Sequence, residues 1–328
     1  MVGRKRDATI DFFRVIASIL VILIHTAVRE HTPVLYFISV TIGRYAVPFF
    51  MIVSGYFYFL KPGKERLKKI LSNVLWLWFI WNIIYIPNGI YTLLHAGSIK
   101  EVIFELVWSI IGESVCFGAA WYLMAFAVGL FIVDWFRRVG KMWMCDILAV
   151  IVLLIDCAST NYQHIFPYLS VFSKLYWGTS IITGILWLTV AYYITKYRNK
   201  APQIGKWWAV LIAILLTVGE RLIVQHFGVN NDPIRTDMYL TLPISVFLIF
   251  MFILNHSHFE SAEKVVTMRD MATLMFFVQF GILDALKLTI GGWYFVIVLI
   301  LDVLISTIIL KLSKRMTFLK KIYSLEPV

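Results

Sequence analysis

Charged residues are scarce in this chain of 328 residues. Only 15% are aspartate, glutamate, lysine or arginine, whereas 60% are hydrophobic and the mean hydropathy is +0.82. A water-soluble domain carries about 25% charged residues, so this composition excludes an ordinary soluble enzyme. The apolar residues come in runs of about 20, the length that an α-helix needs to cross a bilayer. The composition therefore predicts an all-α, polytopic protein of the cell membrane.

Cysteine is also rare. The chain has three cysteines, Cys116, Cys145 and Cys157. Their spacing fits no metal site and their number is odd, so we expect small apolar packing residues and no metal. A cleavable leader is not expected either. Residues 4–6 are basic and precede the first apolar run, but that run is long enough to span and no small-residue cleavage site follows it.

Ten apolar segments are predicted to span the membrane. They cover residues 8–28, 39–60, 70–90, 119–136, 142–157, 175–195, 206–225, 238–255, 271–290 and 292–311. No loop between them is long enough to form a separate soluble domain, so residues 1–328 are treated as a single membrane domain. Segment 98–118 mixes apolar and charged residues at helical spacing, and we expect an interfacial or re-entrant helix there.

The net charge of +11 is distributed unevenly across the predicted membrane. Of the 30 lysines and arginines, 22 lie in the N-terminal segment, the alternate loops and the C-terminal tail on one side. The opposite side holds Arg29, Lys100, Lys174, Arg235 and Lys287. Positive loops stay in the cytoplasm, so both termini are expected there. The basic excess is then a topology signal with anionic lipids as partners, and no nucleic-acid partner is expected.

Two ionisable residues interrupt the first apolar run. Arg14 and His25 are eleven positions apart, which is ~16 Å and nearly three whole turns of a helix, so both point to one face. A charge inside a membrane helix costs at least ~2.5 kcal/mol and is usually functional. The alternative is that Arg14 snorkels to the headgroups and His25 packs in a helix contact.

The second apolar run also contains an arginine. Pro48 leaves the carbonyl of Arg44 without its helical hydrogen bond, which predicts a polar cavity lined by Arg14, His25 and Arg44. Ser54 and Gly55 permit close approach of another helix. The alternative is a kinked span in which Arg44 snorkels near its outer end.

The remaining ionisable groups in the spans include Glu220, Arg221, Asp284 and Asp302. The three acids are expected inside the bundle or a wet cavity, and Arg221 is expected to pair with a carboxylate.

These motifs together resemble the acyltransferase-3 family of integral-membrane acyltransferases. Arg14 and His25 match its Arg-x10-His helix, and Arg44 with residues 47–50 and 54–57 matches the second helix of the family. Residues 121–123, Trp-Tyr-Leu, look like a Trp-aromatic-Leu element that opens a later span. One departure is Gln279, which stands where the family has a histidine. Gln279 can form hydrogen bonds but cannot move a proton.

The resemblance implies an O-acyltransferase. Such an enzyme moves an acyl group, usually acetyl, from cytoplasmic acyl-coenzyme A to a hydroxyl of a cell-envelope carbohydrate or another small hydroxyl acceptor. The resemblance implies His25 as the catalytic residue, as general base or transient acyl carrier, with Arg14 helping to hold the donor. The chemistry is reasonable, because an alcohol is a poor nucleophile until a base accepts its proton and imidazole titrates near neutral pH.

Further residues are assigned to the two substrates by the same resemblance. Residues 66–69 look like the family's basic Arg-x-x-Arg element, although Lys69 replaces its last arginine. A lysine cannot form the bidentate hydrogen bonds that an arginine forms with a phosphate. Donor contacts are expected from Arg14, Arg66, Lys69 and Trp121, and acceptor contacts from Arg44, Tyr122 and Gln279. The basic loop 61–69 can alternatively be a topology signal alone.

Two other functions stay open. The membrane half of vancomycin-resistance serine racemases resembles the same family and is thought to deliver L-serine to a fused racemase, so a substrate-uptake domain is the main alternative. An inactive family member that serves as a partner protein is the other, since Gln279 has replaced a histidine. Whether the chain forms a homodimer is also left open.

Overall fold

The computed structural model describes residues 5–27, 31–169, 171, 177–228, 237–286 and 293–323. Its helices are α1 (Ala8–Thr26), α2 (Pro33–Val40), α3 (Ala46–Leu60), α4 (Lys64–Ile84), α5 (Ile86–Leu94), α6 (Ile99–Ile111), α7 (Trp121–Arg138), α8 (Met142–Ser159), α9 (Thr183–Tyr197), α10 (Ala201–Ile204), α11 (Trp207–Phe227), α12 (Leu242–Asn255), α13 (Ala262–Leu286) and α14 (Tyr294–Ser313). Two strands, β1 (Lys5–Asp7) and β2 (Phe259–Ser261), form an antiparallel ladder.

Eight segments of the described chain are long and apolar enough to cross a membrane. They are Ala8–Thr26, Pro33–Leu60, Lys64–Ile84, Gly118–Arg138, Met142–Ser159, Trp207–Phe227, Val266–Leu286 and Tyr294–Ser313. The two other predicted spans correspond to α9 and α12, which have 15 and 14 residues. The predicted all-α, multi-pass architecture is therefore confirmed, whereas the count of ten spans and the side of the termini stay predictions. Arg29, Lys174, Arg235 and Lys287 lie outside the described residues.

The first helix is fixed at its start by side-chain capping. Asp7 Oδ1 accepts hydrogen bonds from the backbone N–H groups of Thr9 (3.0 Å) and Ile10 (3.3 Å), which would otherwise have no helical partner. The other carboxylate oxygen of Asp7 accepts a hydrogen bond from Ser257 Oγ at 2.7 Å. Together with the β1–β2 ladder, these bonds hold the start of α1 against the segment that precedes α13.

The second span is interrupted, as its proline suggests. Helix α2 ends at Val40, a 3₁₀ turn covers Ile42–Tyr45, and α3 begins at Ala46. Pro48 thus lies in the first turn of α3. Backbone N–H groups in the first turn have no helical acceptor, so the N–H that proline lacks costs the helix no hydrogen bond. The irregular turn carries Arg44 and turns its side chain toward the interior of the bundle.

The short helix α9 lies at the centre of the bundle, packed against α3, α7 and α8. Trp187 is only 1% exposed. A Cβ atom on Gly184 would lie 1.8 Å from the carbonyl oxygen of Ala125 in α7. A Cβ atom on Gly55 in α3 would lie 2.8 Å from Ala191 Cβ. The close approach predicted for Ser54 and Gly55 is thus realised against α9, and small residues set the distance between these helices.

The segment predicted to be interfacial contains α6. Its 13 residues are too few to span the hydrocarbon core. Ser98 Oγ accepts a hydrogen bond from the backbone N–H of Glu101 and so caps the helix. Trp108 is buried. Ile103 and Val107 expose about half of their surface. An exposed apolar face on a short helix fits the expected interfacial position.

Some of the ionisable groups in the spans have structural roles. Glu220 accepts hydrogen bonds from Tyr162 Oη (2.7 Å) and from the backbone N–H groups of Leu240 (2.6 Å) and Thr241 (2.8 Å), so it anchors the chain before α12. Arg221 is buried and makes no ion pair within the described residues, so the carboxylate expected for it is not found there.

The other two acids differ from each other. Asp302 is fully buried, as expected. Asp284 is exposed and accepts a hydrogen bond from Asn88 Nδ2 at 2.6 Å, so its expected place inside the bundle is wrong. It lies in the last turn of α13, close to the helix end, where solvent and the side-chain amide of Asn88 in α5 satisfy the carboxylate.

Candidate active site

A cavity of about 480 Å³ opens between the end of α1, the turn that carries Arg44, the loop before α7 and the start of α9. Its ionisable and hydroxyl lining consists of His25, Tyr36, Ser39, Arg44, Glu113, Thr179, Thr183 and Asp237. Its aromatic lining also includes Trp121, Trp187, Phe276 and Phe280. A concave space with largely apolar walls and a few convergent polar groups is the usual form of a small-molecule site.

His25 reaches into this cavity from the last turn of α1. Its ring lies edge-on to Phe280, with ring centroids 4.9 Å apart and an angle of 64° between the planes. The residue keeps accessible surface within the cavity, and no hydrogen bond of its ring nitrogens is found within the described residues. A ring that is held by an aromatic contact and not by hydrogen bonds leaves a nitrogen available to a bound molecule.

Arg44 lines the same cavity and forms an ion pair with Asp237. Arg44 Nη1 donates a hydrogen bond to Asp237 Oδ1. Tyr239 Oη donates to the carbonyl of Val40 at 2.6 Å, which ties the chain next to Asp237 to the end of α2. Sequence reasoning missed Asp237, which lies one residue before a predicted span. An acid at a span end, on the same predicted side as Arg44, is the one signal that could have suggested it.

Arg14 lies apart from the cavity. Its Nη1 atom is 2.5 Å from Asp11 Oδ1, and its guanidinium lies 5.7 Å from the centre of the Phe57 ring. Arg269 and Tyr122 are within electrostatic range of it. Arg14 is not among the described residues that line the cavity. The expectation that Arg14, His25 and Arg44 line one cavity is therefore wrong for Arg14, because three helical turns separate it from His25.

Trp121 and Tyr122 are neighbours in the sequence whose side chains lie in different places. Trp121, expected near the donor, lines the cavity with His25. Tyr122, expected near the acceptor, packs on Phe276 with ring centroids 5.2 Å apart and lies in the electrostatic range of Arg14. Adjacent residues of a helix point about 100° apart, so the two side chains face different spaces. Their contacts with substrates stay predictions.

Gln279 is fully buried and is not part of the described cavity lining. Its Nε2 atom donates a hydrogen bond to the carbonyl of Phe276 at 3.1 Å within the same helix. Phe276 and Phe280 both line the cavity, whereas Gln279 precedes Phe280 by one position and therefore points to another side of α13. The structure does not bring Gln279 together with His25.

The two basic residues expected at the donor lie at the start of α4. Arg66 and Lys69 are both exposed, and Arg66 Nη1 donates a hydrogen bond to the carbonyl of Lys61 at 3.0 Å. Exposed cations at one end of the bundle are available to a phosphate or to lipid headgroups alike. The geometry does not connect them to the His25 cavity, so their role stays a prediction.

Comparisons with known proteins agree with the family resemblance that the sequence motifs indicated. The sequence model of the acyltransferase-3 family, described as an acyltransferase domain, matches residues 7–314. An amino-acid racemase of Enterococcus faecalis is 24% identical over 294 residues, which cover 83% of this chain and 40% of the racemase. A serine/alanine racemase of Enterococcus gallinarum is 27% identical over 280 residues, which cover 77% of this chain and 38% of that protein.

The chain therefore spans about 40% of the length of the curated relatives that it matches. No solved structure is significantly similar to it.

Proposed function

Because the chain belongs to the acyltransferase-3 family, we propose that it is an integral-membrane O-acyltransferase with its acceptor site in the His25 cavity. The acyl group, acetyl in this proposal, comes from acyl-coenzyme A and goes to a hydroxyl of a cell-envelope glycan or its precursor. The observation that carries the proposal is the position of the His25 ring. It faces the cavity beside the Arg44–Asp237 pair and has no hydrogen-bonding partner in the described residues.

His25 supplies the base. A ring nitrogen accepts the proton of the acceptor hydroxyl while the oxygen attacks the acyl carbonyl, so that a C–O bond forms and the C–S bond of the donor breaks. The proton held by His25 then passes to the departing thiolate. The cation of Arg44 lies on the same cavity and can stabilise negative charge that develops on the carbonyl oxygen.

The donor is proposed to enter from the cytoplasmic side. The basic residues of the 61–69 loop would meet its phosphates, with Arg66 and Lys69 exposed there. Arg14 lies between that end and the cavity along α1, next to Tyr122. Arg14 and Tyr122 would then contact the pantetheine chain, and Trp121 would contact the acyl end or the acceptor. Membrane lipids are the other expected partners of the basic loops.

Transfer can be tested in proteoliposomes with purified chain and acetyl-coenzyme A labelled in the acetyl group. Label is expected in a hydroxyl-bearing envelope fraction with the wild-type protein. His25→Gln keeps polarity and approximate size but has no basic nitrogen, and it should give background label only. Folded protein is quantified by size-exclusion chromatography in parallel. Equal label from both proteins would refute His25 as the base.

A second candidate function rests on the relatives. Both are named racemases, and the chain covers a minor part of their length. A membrane domain that takes up L-serine for a racemase would show uptake of labelled L-serine into the same proteoliposomes without any acyl donor. Uptake without acyl transfer would establish that function in place of the transferase. Neither activity in folded protein would leave the inactive partner protein as the remaining candidate.

A further inference from the structure

The hydroxyl of Tyr85 bridges one turn of α13. Tyr85 is the single residue between α4 and α5, and it is buried. Its Oη atom donates a hydrogen bond to the carbonyl of Phe277 at 2.8 Å and accepts one from the backbone N–H of Gly281 at 2.7 Å. Phe277 and Gly281 are four positions apart, so these two groups are the ends of one helical hydrogen bond. A side chain that contacts both ends can bend a helix at that turn.

Gly281 makes this contact possible because it has no Cβ atom. A Cβ atom at this position would lie 3.0 Å from Tyr85 Oη, which is closer than ordinary van der Waals contact. A second bond joins the same elements three residues further along each of them, where Asn88 Nδ2 donates to Asp284 Oδ2 at 2.6 Å. The junction of α4 and α5 is thus tied to α13 at two points, which fixes the bridged turn in place.

The bridged turn carries Phe280, the ring that contacts His25. Phe280 also meets Phe117, with ring centroids 5.3 Å apart and an angle of 87° between the planes. Phe117 is 1% exposed and stacks on the ring of Tyr85, with centroids 4.7 Å apart and an angle of 8°. Tyr85 therefore reaches Phe280 by two routes, through the backbone of its turn and through the ring of Phe117.

The ring of His25 depends on packing for its orientation. It has no hydrogen-bonding partner within the described residues, and its edge-on contact is with Phe280. We infer that Tyr85 is a positioning residue for the proposed transfer, because its hydroxyl fixes the turn that carries Phe280 and thereby orients His25 toward the cavity. The inference rests on the proposed function in that it takes His25 as the base. Tyr85 itself is not among the described residues that line the cavity, so it acts through Phe280.

Tyr85→Phe tests the hydroxyl, since it removes that group and keeps the ring that stacks on Phe117. We expect the turnover number for acyl transfer to fall by about tenfold to 10²-fold, because a displacement of about 1 Å at the reacting groups can cost that much. The KM for acetyl-coenzyme A should stay unchanged, since Tyr85 is not proposed to contact the donor. The assay is labelled acetyl transfer in proteoliposomes, with the donor concentration varied and the envelope fraction held constant.

A second measurement follows the His25 ring without any acyl donor. Diethyl pyrocarbonate modifies an accessible, neutral imidazole nitrogen, and mass spectrometry of the peptide that contains His25 gives the rate of this modification. We expect Tyr85→Phe to raise the rate several-fold, because the ring is then held less firmly against Phe280. The exposed His226 in the last turn of α11 is the internal reference, and its rate should not change.

Gly281→Ala tests the same bond from the other side. The added Cβ atom must displace the Tyr85 hydroxyl, so this variant should reproduce both effects, and it keeps the test valid if Tyr85→Phe does not fold. In the Tyr85→Phe background the same alanine meets ring atoms at 3.5 Å or more, so the double variant should be no worse than Tyr85→Phe alone.

Tyr193→Phe is the matched control. It removes a hydroxyl that joins α9 to Asp146 in α8 at 2.7 Å, and Tyr193 is not among the described residues that line the cavity. This variant should change neither the turnover number nor the rate of modification at His25. Folding of each variant is checked by size-exclusion chromatography and thermal unfolding.

Three outcomes would overturn the inference. One is a lower melting temperature of Tyr85→Phe with unchanged turnover and an unchanged rate at His25, which would show that Tyr85 only joins helices. Another is a fall in turnover without any change at His25, and the third is a change at His25 without a fall in turnover. If the wild-type protein transfers no acyl group, the proposed function fails, and the rate of modification still decides whether Tyr85 orients His25.

Discussion

Arg44 and Asp237 are 193 residues apart in the sequence and form an ion pair on the wall of one cavity. The pair joins the interrupted second span to the chain that precedes α12. Both side chains are partly accessible, at 15% and 25%, so the pair is neither a surface salt bridge nor fully desolvated. It closes one side of the cavity that holds His25 and fixes a cation there.

Loss of Asp237 should therefore disturb the cavity more than loss of an ordinary surface acid. We expect Asp237→Asn to reduce acyl transfer and to lower the melting temperature, because Arg44 then keeps its charge but loses the carboxylate of Asp237. The measurements are label transfer from acetyl-coenzyme A and thermal unfolding of the same preparation. Glu65→Gln, an exposed acid at the start of α4, is the control and should change neither.

A double-mutant cycle with Arg44→Gln tests whether the two residues act as a pair. The combined variant should lose less stability than the sum of the two single variants, because removing both charges leaves none unpaired. Additive losses would show that the contact carries no coupling and that Asp237 acts alone.

Two glycines of the bundle centre provide a prediction on stability. A Cβ atom on Gly129 in α7 would lie 2.4 Å from the backbone carbon of Gly184 in α9. Gly129→Ala must therefore push the two helices apart, at a cost of about 1–3 kcal/mol or more. The measurement is the midpoint of thermal unfolding in detergent. Gly219→Ala in α11 is the control, since nothing lies within 4 Å of the added atom, and a melting temperature as low as that of Gly129→Ala would contradict the packing argument.

The helices were predictable from local properties of the sequence. Runs of apolar residues predict where helices lie, and each of the ten predicted spans corresponds to a helix. The position of α9 was not predictable in this way. It is buried at the centre because Gly184 and its neighbours permit close contact with α7, and hydropathy does not reveal which helix will be surrounded by the others.

The site was predictable only in part, for a similar reason. The motif around His25 and the arginine of the second run are local patterns, and the structure brings both to one cavity. Asp237 reaches that cavity through a contact between distant elements, which a single sequence does not encode in its spacing. The separation of Arg14 from His25 follows from helix geometry, because eleven residues extend about 16 Å along the helix axis. Two residues on the same face of one helix therefore need not line the same cavity.

Arg14 itself is expected to be held firmly by Asp11. The side chains are 12% and 9% exposed and lie three positions apart on α1. Removing one partner of a buried ion pair typically costs about 3–5 kcal/mol, because the remaining charge is left unpaired. Asp11→Asn should therefore lower the melting temperature in detergent clearly. A melting temperature equal to that of the wild-type protein would mean that Arg14 is solvated and that Asp11 does not hold it.

The proposed donor binding by the basic loop 61–69 can be distinguished from a role of this loop in topology alone. Arg66→Ala and Lys69→Ala remove exposed cations that are proposed to meet donor phosphates. We expect weaker binding of coenzyme A in each variant and weaker binding of the wild-type protein at high salt, because exposed charges are screened. Binding is followed by thermal shift, with Lys100→Ala on the opposite predicted side as control. Affinity that is unchanged in both variants and in high salt would leave the loop with a topology role only.

The strongest prediction concerns His25. A side chain that supplies general-base catalysis contributes typically ~10²–10⁴-fold in rate, so His25→Ala should abolish measurable acyl transfer. His25→Gln should be equally inactive, because its amide cannot accept a proton at neutral pH. Both variants should keep coenzyme A binding and the wild-type melting temperature within a few degrees, since the ring makes no hydrogen bond within the described residues and contacts Phe280 only by its edge. Phe280→Leu is the complementary variant, which removes the aromatic contact, keeps the base and should retain partial activity. Near-normal turnover of His25→Gln would show that the ring serves as a polar wall of the cavity and that another group takes the proton.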